Sequence, residues 1–340
     1  MARMAILGAG WAGTVHAMVA SATPGVDVSW VGSRTMASAE RLAEMGGVPA
    51  GTLGELPSKV DLVVVATTPD HHPDGLAAAL SRGAAVLVEK PICPTLAQAD
   101  AMIDAVDATS SVVGLAENLL FAPAVDAGLA HRADLGGLTR LTLRCEQPAP
   151  TWGHFVEPLT AGGVLFDLGA HPLSLALAFA APAVPVAVRA TLDSRRDDGA
   201  DDLAEVEIRF DTGLVADLTV SWRAEDDPTW SVEAAAPDGV VRLELLPRVV
   251  LELDGTDATP APELDQLPDP MLEALGYAGQ LRGIVDAAAG RGGRVCPLGF
   301  GRAVLELTCA AYASAGSGGA EVSLPFDGDR GATPMQLWRA

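Results

Sequence analysis

Lysine is almost missing from this 340-residue chain: Lys59 and Lys90 are the only two, against twenty arginines. Arginine therefore serves as the ordinary cation, and a lysine at a strand end suggests a task for which a guanidinium is unsuited. An ammonium can lose its charge when desolvated and can take part in proton transfer, whereas a guanidinium stays charged. Lys90 closes the apolar run Val86-Leu87-Val88, follows Glu89 and precedes Pro91, which reads as the end of a buried parallel strand. Ligands of α/β proteins bind just beyond such ends. An ion pair or a solvated strand end is the alternative. Cysteine is sparse too. Cys93, Cys145, Cys296 and Cys309 lie far apart with no paired spacing, which argues against a disulfide framework or a zinc site and suits a reducing, cytoplasmic setting. Positive charge is short: 44 acidic against 22 basic residues leave a net charge of −22. That balance argues against nucleic acid and against an anionic membrane as partners. No run approaches the roughly 20 apolar residues of a membrane helix. The chain starts directly in a strand with no basic and apolar leader, so a cytoplasmic location is expected.

What is present is a globular composition, 49% hydrophobic with 36 glycines, and a length that suggests two domains. Met4–Leu7, Val26–Val31, Leu62–Ala66, Val86–Val88 and Ser111–Leu115 read as strands. Thr14–Ser21, Ala37–Glu44, Gly75–Ser81 and Leu96–Asp107 read as helices. This alternation predicts a parallel sheet with helices on both faces. From about residue 138 the period changes to two, with Leu141, Leu143 and Cys145 on one face and Arg140, Thr142 and Arg144 on the other. Val206, Ile208 and Phe210 lead through Asp211-Thr212-Gly213 into Leu214, Ala216, Leu218, Val220 and Trp222, which describes a hairpin. A second turn falls at Pro237-Asp238-Gly239. The fold class expected is α/β: an N-terminal doubly wound parallel sheet over 1–120, and an α+β domain over 121–340 with a mainly antiparallel open sheet. Helices near 163–180 and 299–315 accompany that sheet. One face of it lacks an evident covering helix, and an apolar face of that size would mark a subunit interface, so a homodimer or homotetramer through the C-terminal sheet is expected.

Gly8-Ala9-Gly10-Trp11-Ala12-Gly13 follows the first strand and opens a helix, the context that makes a G-x-G-x-x-G a dinucleotide fingerprint of the Rossmann type. Gly8 permits the tight turn, Gly10 the close approach of the pyrophosphate, and Gly13 the packing of helix on strand. NAD enzymes carry an acid at the end of the second strand for the ribose 2′-hydroxyl. Here that position reads Gly32-Ser33-Arg34-Thr35, with no carboxylate. Ser33 and Arg34 can meet a 2′-phosphate, which predicts a preference for NADP(H) with NAD(H) possible. Alternatively Arg34 stacks on adenine and both cofactors are accepted.

The Tyr-x-x-x-Lys pair of short-chain dehydrogenases is absent, no cysteine–histidine set suggests a catalytic zinc, and no G-x-S-x-G elbow occurs. What stands out instead is Gly162-Gly163-Val164-Leu165-Phe166-Asp167-Leu168-Gly169-Ala170-His171. Asp167 and His171 are four apart, which puts both on one face of a helix in an apolar segment. They can serve as an acid–base pair or as a helix ion pair with a satisfied core histidine. Pro172 should bend or loosen the helix there.

The succession of Gly8–Gly13, Val65-Ala66-Thr67-Thr68-Pro69-Asp70-His71-His72, Glu89-Lys90-Pro91 and Gly162-Gly163…Asp167…His171 resembles the Gfo/Idh/MocA oxidoreductases, relatives of glucose–fructose oxidoreductase and inositol dehydrogenase. Ala311-Tyr312-Ala313-Ser314-Ala315 and Glu321-Val322-Ser323-Leu324-Pro325 resemble that family's C-terminal helix and strand. The resemblance implies hydride exchange between nicotinamide C4 and a carbinol or keto carbon of a sugar, cyclitol or related polyol. It implies that Lys90 orients the substrate hydroxyl, that His171 is the general acid/base, and that Asp167 bonds the substrate or orients the imidazole. Pro91 resembles a proline that follows a cis peptide, with Glu89 supporting Lys90. Thr67, Thr68, Pro69 and His72 match the loop beside the cofactor; for the last three, packing is an equal alternative. Two positions depart from the family pattern: Ser174 replaces an acid, and Leu120 replaces an arginine before Phe121-Ala122-Pro123. Both fall on the expected substrate side. Asn118, Trp152, His154, Glu157 and Ser174 are the candidate substrate residues, with a surface loop the alternative for Trp152, His154 and Glu157. A recycled-cofactor elimination or isomerisation, and a nucleotide-binding regulatory protein without chemistry, are the competing functions.

Overall fold

The computed structural model describes residues 1–150, 162–261, 267 and 269–340. The first part runs β1 (Ala2–Leu7), α1 (Trp11–Ser21), β2 (Val26–Ser33), α2 (Met36–Gly46), β3 (Ala50–Thr52), β4 (Leu62–Val65), α3 (His72–Leu80), β5 (Ala85–Glu89), α4 (Leu96–Asp107) and β6 (Val113–Ala116). All six strands are parallel, in the order β3-β2-β1-β4-β5-β6. The order reverses between β1 and β4, the switch point at which ligands bind in such sheets. β4 and β5 are buried at every residue, as the central strands of a sheet covered on both faces must be. Leu7 pairs with Gly32 and with Val65, and Val65 pairs with Val88. Because those ends are level, Gly8, Ser33-Arg34, Ala66-Thr67 and Lys90 leave the sheet along one edge. Of these six strands, β3 has no counterpart in the sequence reading, since three residues are too few to show a period.

The chain continues through α5 (Pro123–Asp134), β7 (Arg140–Glu146), α6 (Val164–Asp167), α7 (Ala170–Ala180), β8 (Pro185–Asp193), β9 (Leu203–Phe210), β10 (Val215–Ser221), β11 (Thr229–Ala236), β12 (Gly239–Leu246), β13 (Val250–Leu253) and β14 (Thr256–Asp257). It then forms α8 (Met271–Ala274), α9 (Tyr277–Ala288), α10 (Leu298–Gly316), β15 (Val322–Ser323) and α11 (Pro334–Trp338). The second sheet has the order β14-β13-β12-β11-β7-β10-β9-β8-β15. Its neighbours are antiparallel except β7 and β10, which run parallel. The β9–β10 hairpin closes as the sequence implied, with Phe210 N–H donating to the Leu214 carbonyl at 2.9 Å and Gly213 at φ 85°.

One expectation about this sheet is corrected. Its strands have a single apolar face, and helices take it: α5 packs on β12 and β13, α6 on β9 and β10, and α7 on β7 and β10. The opposite face is polar. It carries Arg140–Asp217 at 2.6 Å, Arg242–Glu233 at 2.8 Å, Arg209–Glu321 at 2.9 Å and Arg144–Glu146 at 3.1 Å. The ground for expecting apolar sheet-to-sheet assembly is therefore absent among the described residues. Strict alternation leaves only one apolar face per strand, and the core uses it.

The chain divides into two compact units, and the division is not one cut near residue 120. The first unit holds Met1–Cys93, Ala97–Ala122 and the described part of Pro262–Arg302; the second holds Pro94–Leu96, Ala303–Ala340 and the described part of Pro123–Ala261. The return of residues 267–302 to the first unit has a hydrophobic cause. Tyr277, Ala278, Leu281 and Ile284 form one stripe of α9 at helical spacing, and with Leu267 and Leu272 they join the core of Met4, Ile6, Val19, Leu62, Val64 and Leu87. At the start of α9, Gly276 takes φ 85°, and a side chain there would overlap the backbone of Asn118, Phe121 and Ala122. Gly276→Ala is expected to cost at least about 1–3 kcal/mol from the left-handed backbone alone, read as a lowered thermal midpoint. Gly47→Ala, also left-handed at φ 63° but in open space, should lower it less.

Candidate functional site

At the first unit's strand-end edge the three fingerprint glycines do different work. A Cβ on Gly8, which has φ 109°, would overlap the Ala66 carbonyl, and one on Gly13 would overlap the carbonyl of Gly8. Neither helix nor strand could then pack where it does. Gly10 differs, since nothing lies within 4 Å of an added Cβ. It stands before α1 in an extended conformation with no side-chain cap, and the first turn of α1 holds no carboxylate. Such a helix start favours an anion. Trp11 is exposed and meets Tyr277 edge-on at 6.4 Å. The Thr67 hydroxyl, just past β4, is buried with no hydrogen-bond partner. An unpaired buried hydroxyl costs about 1–3 kcal/mol, so this edge fits a ligand that carries both an anionic group and a polar atom. Ser33 is half-buried and Arg34 exposed at the end of β2, with no carboxylate at either position.

Lys90 follows β5 on the same edge, and its peptide bond to Pro91 is cis. Beneath it, the carboxylate of Glu89 accepts the Lys90 backbone N–H through Oε2 at 3.1 Å and lies 2.7 Å from His16 Nε2 through Oε1. His16 and Glu89 are both buried. Burial alone would raise the Glu89 pKa, but the hydrogen bond from His16 and the nearby charges, that of Lys90 included, outweigh it and hold the carboxyl below its usual range. His16 sits in α1, three residues after Gly13, and its ring meets Tyr277 edge-on at 6.3 Å. The Lys90 loop is thus tied to the helix whose N-terminus faces the strand-end edge. His72 ties it from the other side. Its ring is fully buried, with Nδ1 3.1 Å from the Ile92 carbonyl and Nε2 3.0 Å from the Thr67 carbonyl, and burial pushes its pKa down.

In the second unit, Asp167 and His171 do not share one helix. Asp167 ends α6, and His171 lies in the first turn of α7, with Leu168 and Gly169 between the two helices. Pro172 lies in that first turn, where its missing N–H needs no intrahelical partner; the Leu168 carbonyl accepts from His171 N–H at 3.2 Å instead, so the helix is interrupted where Pro172 was expected to loosen it. His171 is buried and stacks at a tilt on Trp230, with centroids 5.3 Å apart. Ser174 is buried one turn further along α7.

Comparison with known proteins agrees with the fold. Residues 2–117 match the family model described as an oxidoreductase family with an NAD-binding Rossmann fold, and 129–242 match the GFO/IDH/MocA C-terminal domain. The chain belongs to the Gfo/Idh/MocA oxidoreductase family. It is 27% identical to inositol 2-dehydrogenase of Rhizobium meliloti, over 92% of this chain and 96% of that protein. It is also 27% identical to D-xylose 1-dehydrogenase (NADP(+)) 2 of Haloferax volcanii, over 76% of this chain and 79% of that protein. Among solved structures it resembles GenD2 from gentamicin A biosynthesis in complex with NAD, at a TM-score of 0.84 and 27% identity, covering 95% of this chain and 97% of the other.

Outside the Asp167–Ser174 segment just described, the residues singled out in the sequence of this Gfo/Idh/MocA protein fall into three groups. Gly8, Gly10, Trp11, Ala12, Gly13, Ser33, Arg34, Thr67, Thr68, Glu89 and Lys90 come together at the strand-end edge of the first unit. Pro69, His72 and Asn118 are spent inside the protein. Pro69 is buried at the start of a 3-10 turn, His72 bridges two backbone carbonyls, and the Asn118 side-chain amide donates to the Leu275 carbonyl at 2.7 Å. Asn118 thus anchors the returning segment before α9. Trp152, His154 and Glu157 lie outside the described residues. Among the described residues there is no group of metal-binding side chains and no helix long and apolar enough to cross a membrane. His16, Trp230 and Asp201 were missed. His16 had a faint signal, a histidine in an apolar helix next to the fingerprint, but its partner is 73 residues away.

The Glu89 pairing has a pH signature. The folded carboxyl titrates below the ordinary value of 4.5, so its stabilising contribution is complete above that pH and fades as pH falls through the lower folded value. Glu89→Gln should therefore be less stable than wild type at neutral pH, by a margin that shrinks in acid. Thermal midpoints across an acid-to-neutral pH series measure this, and a margin that stays constant to the acid end contradicts it.

Proposed function

We propose that the protein is an NADP(H)-preferring dehydrogenase or reductase that acts on a carbinol or keto carbon of a sugar, cyclitol or similar polyol. The observation that carries this reading is Lys90 itself: nearly the only ammonium in the chain, at the same strand-end edge as an open, anion-favouring helix start and an unpaired buried hydroxyl. The named activities of the relatives support the substrate class, since one is an inositol dehydrogenase and another a xylose dehydrogenase. For the nucleotide, the backbone at Gly10 to Gly13 would hold the pyrophosphate, Ser33 and Arg34 would receive a 2′-phosphate, and Thr67 and Thr68 would meet the rest of the cofactor. The lack of a carboxylate after β2 removes the group that would repel that phosphate. The xylose dehydrogenase carries NADP(+) in its name, while the GenD2 structure holds NAD.

When bound, the nicotinamide supplies or takes up the hydride. The protein's side chains handle the oxygen and its proton. Lys90 donates to the substrate oxygen and fixes its direction, which positions the carbon that exchanges hydride. His171 takes the hydroxyl proton in oxidation and returns it in reduction. Asp167 bonds the substrate or orients the imidazole. Glu89 has no direct part: as an ionised buried group under Lys90 it favours the ammonium and holds the backbone from which the side chain extends.

A panel of sugars, cyclitols and keto-sugars followed by NAD(P)H absorbance tests the proposal. Turnover with a member of the panel is expected, with a lower KM for NADP(+) than for NAD(+). Lys90→Ala should lower kcat by about a hundredfold or more, as loss of the group that orients the reacting oxygen can. Full turnover in Lys90→Ala refutes the mechanism; a clear preference for NAD(+) refutes only the Ser33–Arg34 assignment.

A further inference from the structure

The Gly162-Gly163 pair that precedes Asp167 has a partner far away in the chain. Asp201, in the link between β8 and β9, is fully buried. Its Oδ1 accepts the Gly163 N–H at 2.9 Å and the Tyr312 hydroxyl at 2.6 Å, and its Oδ2 accepts the Leu165 N–H at 2.9 Å. Its main-chain carbonyl accepts the Val164 N–H at 2.8 Å. The Tyr312 hydroxyl accepts from Gly163 N–H as well, at 3.1 Å. Three successive N–H groups at the start of α6 thus end on one residue. The glycines make this possible. A Cβ on Gly163 would overlap the Asp201 backbone, and one on Gly162 would stand 2.6 Å from the Tyr312 hydroxyl.

The bonding continues toward the acid–base residues. The Gly163 carbonyl accepts from Asp167 N–H at 3.1 Å, the Val164 carbonyl from Leu168 N–H at 2.9 Å, and the Leu168 carbonyl from His171 N–H at 3.2 Å. A four-residue helix whose N-cap is a glycine without a side chain has no means of fixing its own start. Here the cap comes from Asp201, and the backbone ladder carries that placement to Asp167 and His171.

We propose that Asp201, held by Tyr312, is a positioning residue that sets where Asp167 and His171 stand, and that the Gly-Gly pair exists to admit it. This rests on the reading of His171 as the acid–base group. Asp201→Asn keeps the shape but turns one acceptor oxygen into a donor facing a backbone N–H. Tyr312→Phe keeps the packing and removes one donor.

The test follows the imidazole first, by NMR of ring-labelled protein, with the His171 signal identified by its loss in His171→Ala. Both variants should shift that signal or its titration while the His16 and His72 signals stay in place. With the substrate found by the panel, kcat per nucleotide-binding site should fall about tenfold to a hundredfold, as displacement by about an ångström can cause, with the Kd for NADP(+) unchanged. A His171 signal that superimposes on wild type in folded Tyr312→Phe and in folded Asp201→Asn overturns the positioning role. Should Asp201→Asn not fold, Tyr312→Phe decides alone. If His171→Ala keeps wild-type turnover, the acid–base reading fails. If it abolishes turnover while Tyr312→Phe leaves both signal and kcat intact, only the positioning inference fails.

Discussion

A carboxylate can be buried only if donors replace its water, and this protein places two buried carboxylates under the segments that carry Lys90 and the Asp167–His171 pair. Glu89 lies beneath Lys90, bonded to its N–H and to His16. Asp201 lies beneath the Gly162-Gly163 turn, bonded to three donors. Each one holds backbone rather than substrate. Each also makes demands on its surroundings, because removing a partner leaves a charge or an acceptor stranded in a dry place. Each takes donors from distant parts of the chain as well, so both segments take their positions only when the fold is complete.

The two carboxylates differ in balance. Around Glu89, a hydrogen bond and neighbouring positive charge overcome burial and keep the group ionised. Around Asp201, burial outweighs the three hydrogen bonds and raises its pKa. The first arrangement suits a fixed negative charge below an ammonium. The second suits an anchor whose value is geometric. Both lie under segments that close with small residues or proline, where the backbone can turn sharply without crowding.

Much of this was legible in the residues. Alternation of strand and helix, the three glycines, the missing acid after the second strand, and the Glu-Lys-Pro and Gly-Gly…Asp…His motifs are local patterns, and local patterns survive in a linear text. The period-two strands also foretold the second sheet, though not that its uncovered face would be polar. That error came from counting the apolar face twice, once for the core and once for an interface. The single helix expected through Asp167 and His171 is interrupted at Leu168 and Gly169, where Pro172 has no N–H to give the Leu168 carbonyl, and the start of its first part is capped from outside by Asp201. No residue within that segment announces such a cap.

The sequence by itself determined the nucleotide-binding class and the general type of strand order, and it singled out Lys90, Asp167 and His171 as candidates, since each depends on residue type at short spacing. Only the tertiary structure decided what holds them. His16 reaches Glu89 across 73 positions, Asp201 reaches Gly163 across 38, and Tyr277 to Ile284 return to a core begun at Met4. The physical reason is the same in each case. Burial of charge and of apolar surface is satisfied by whichever group the fold brings near, and nearness in space leaves no mark in the order of residues.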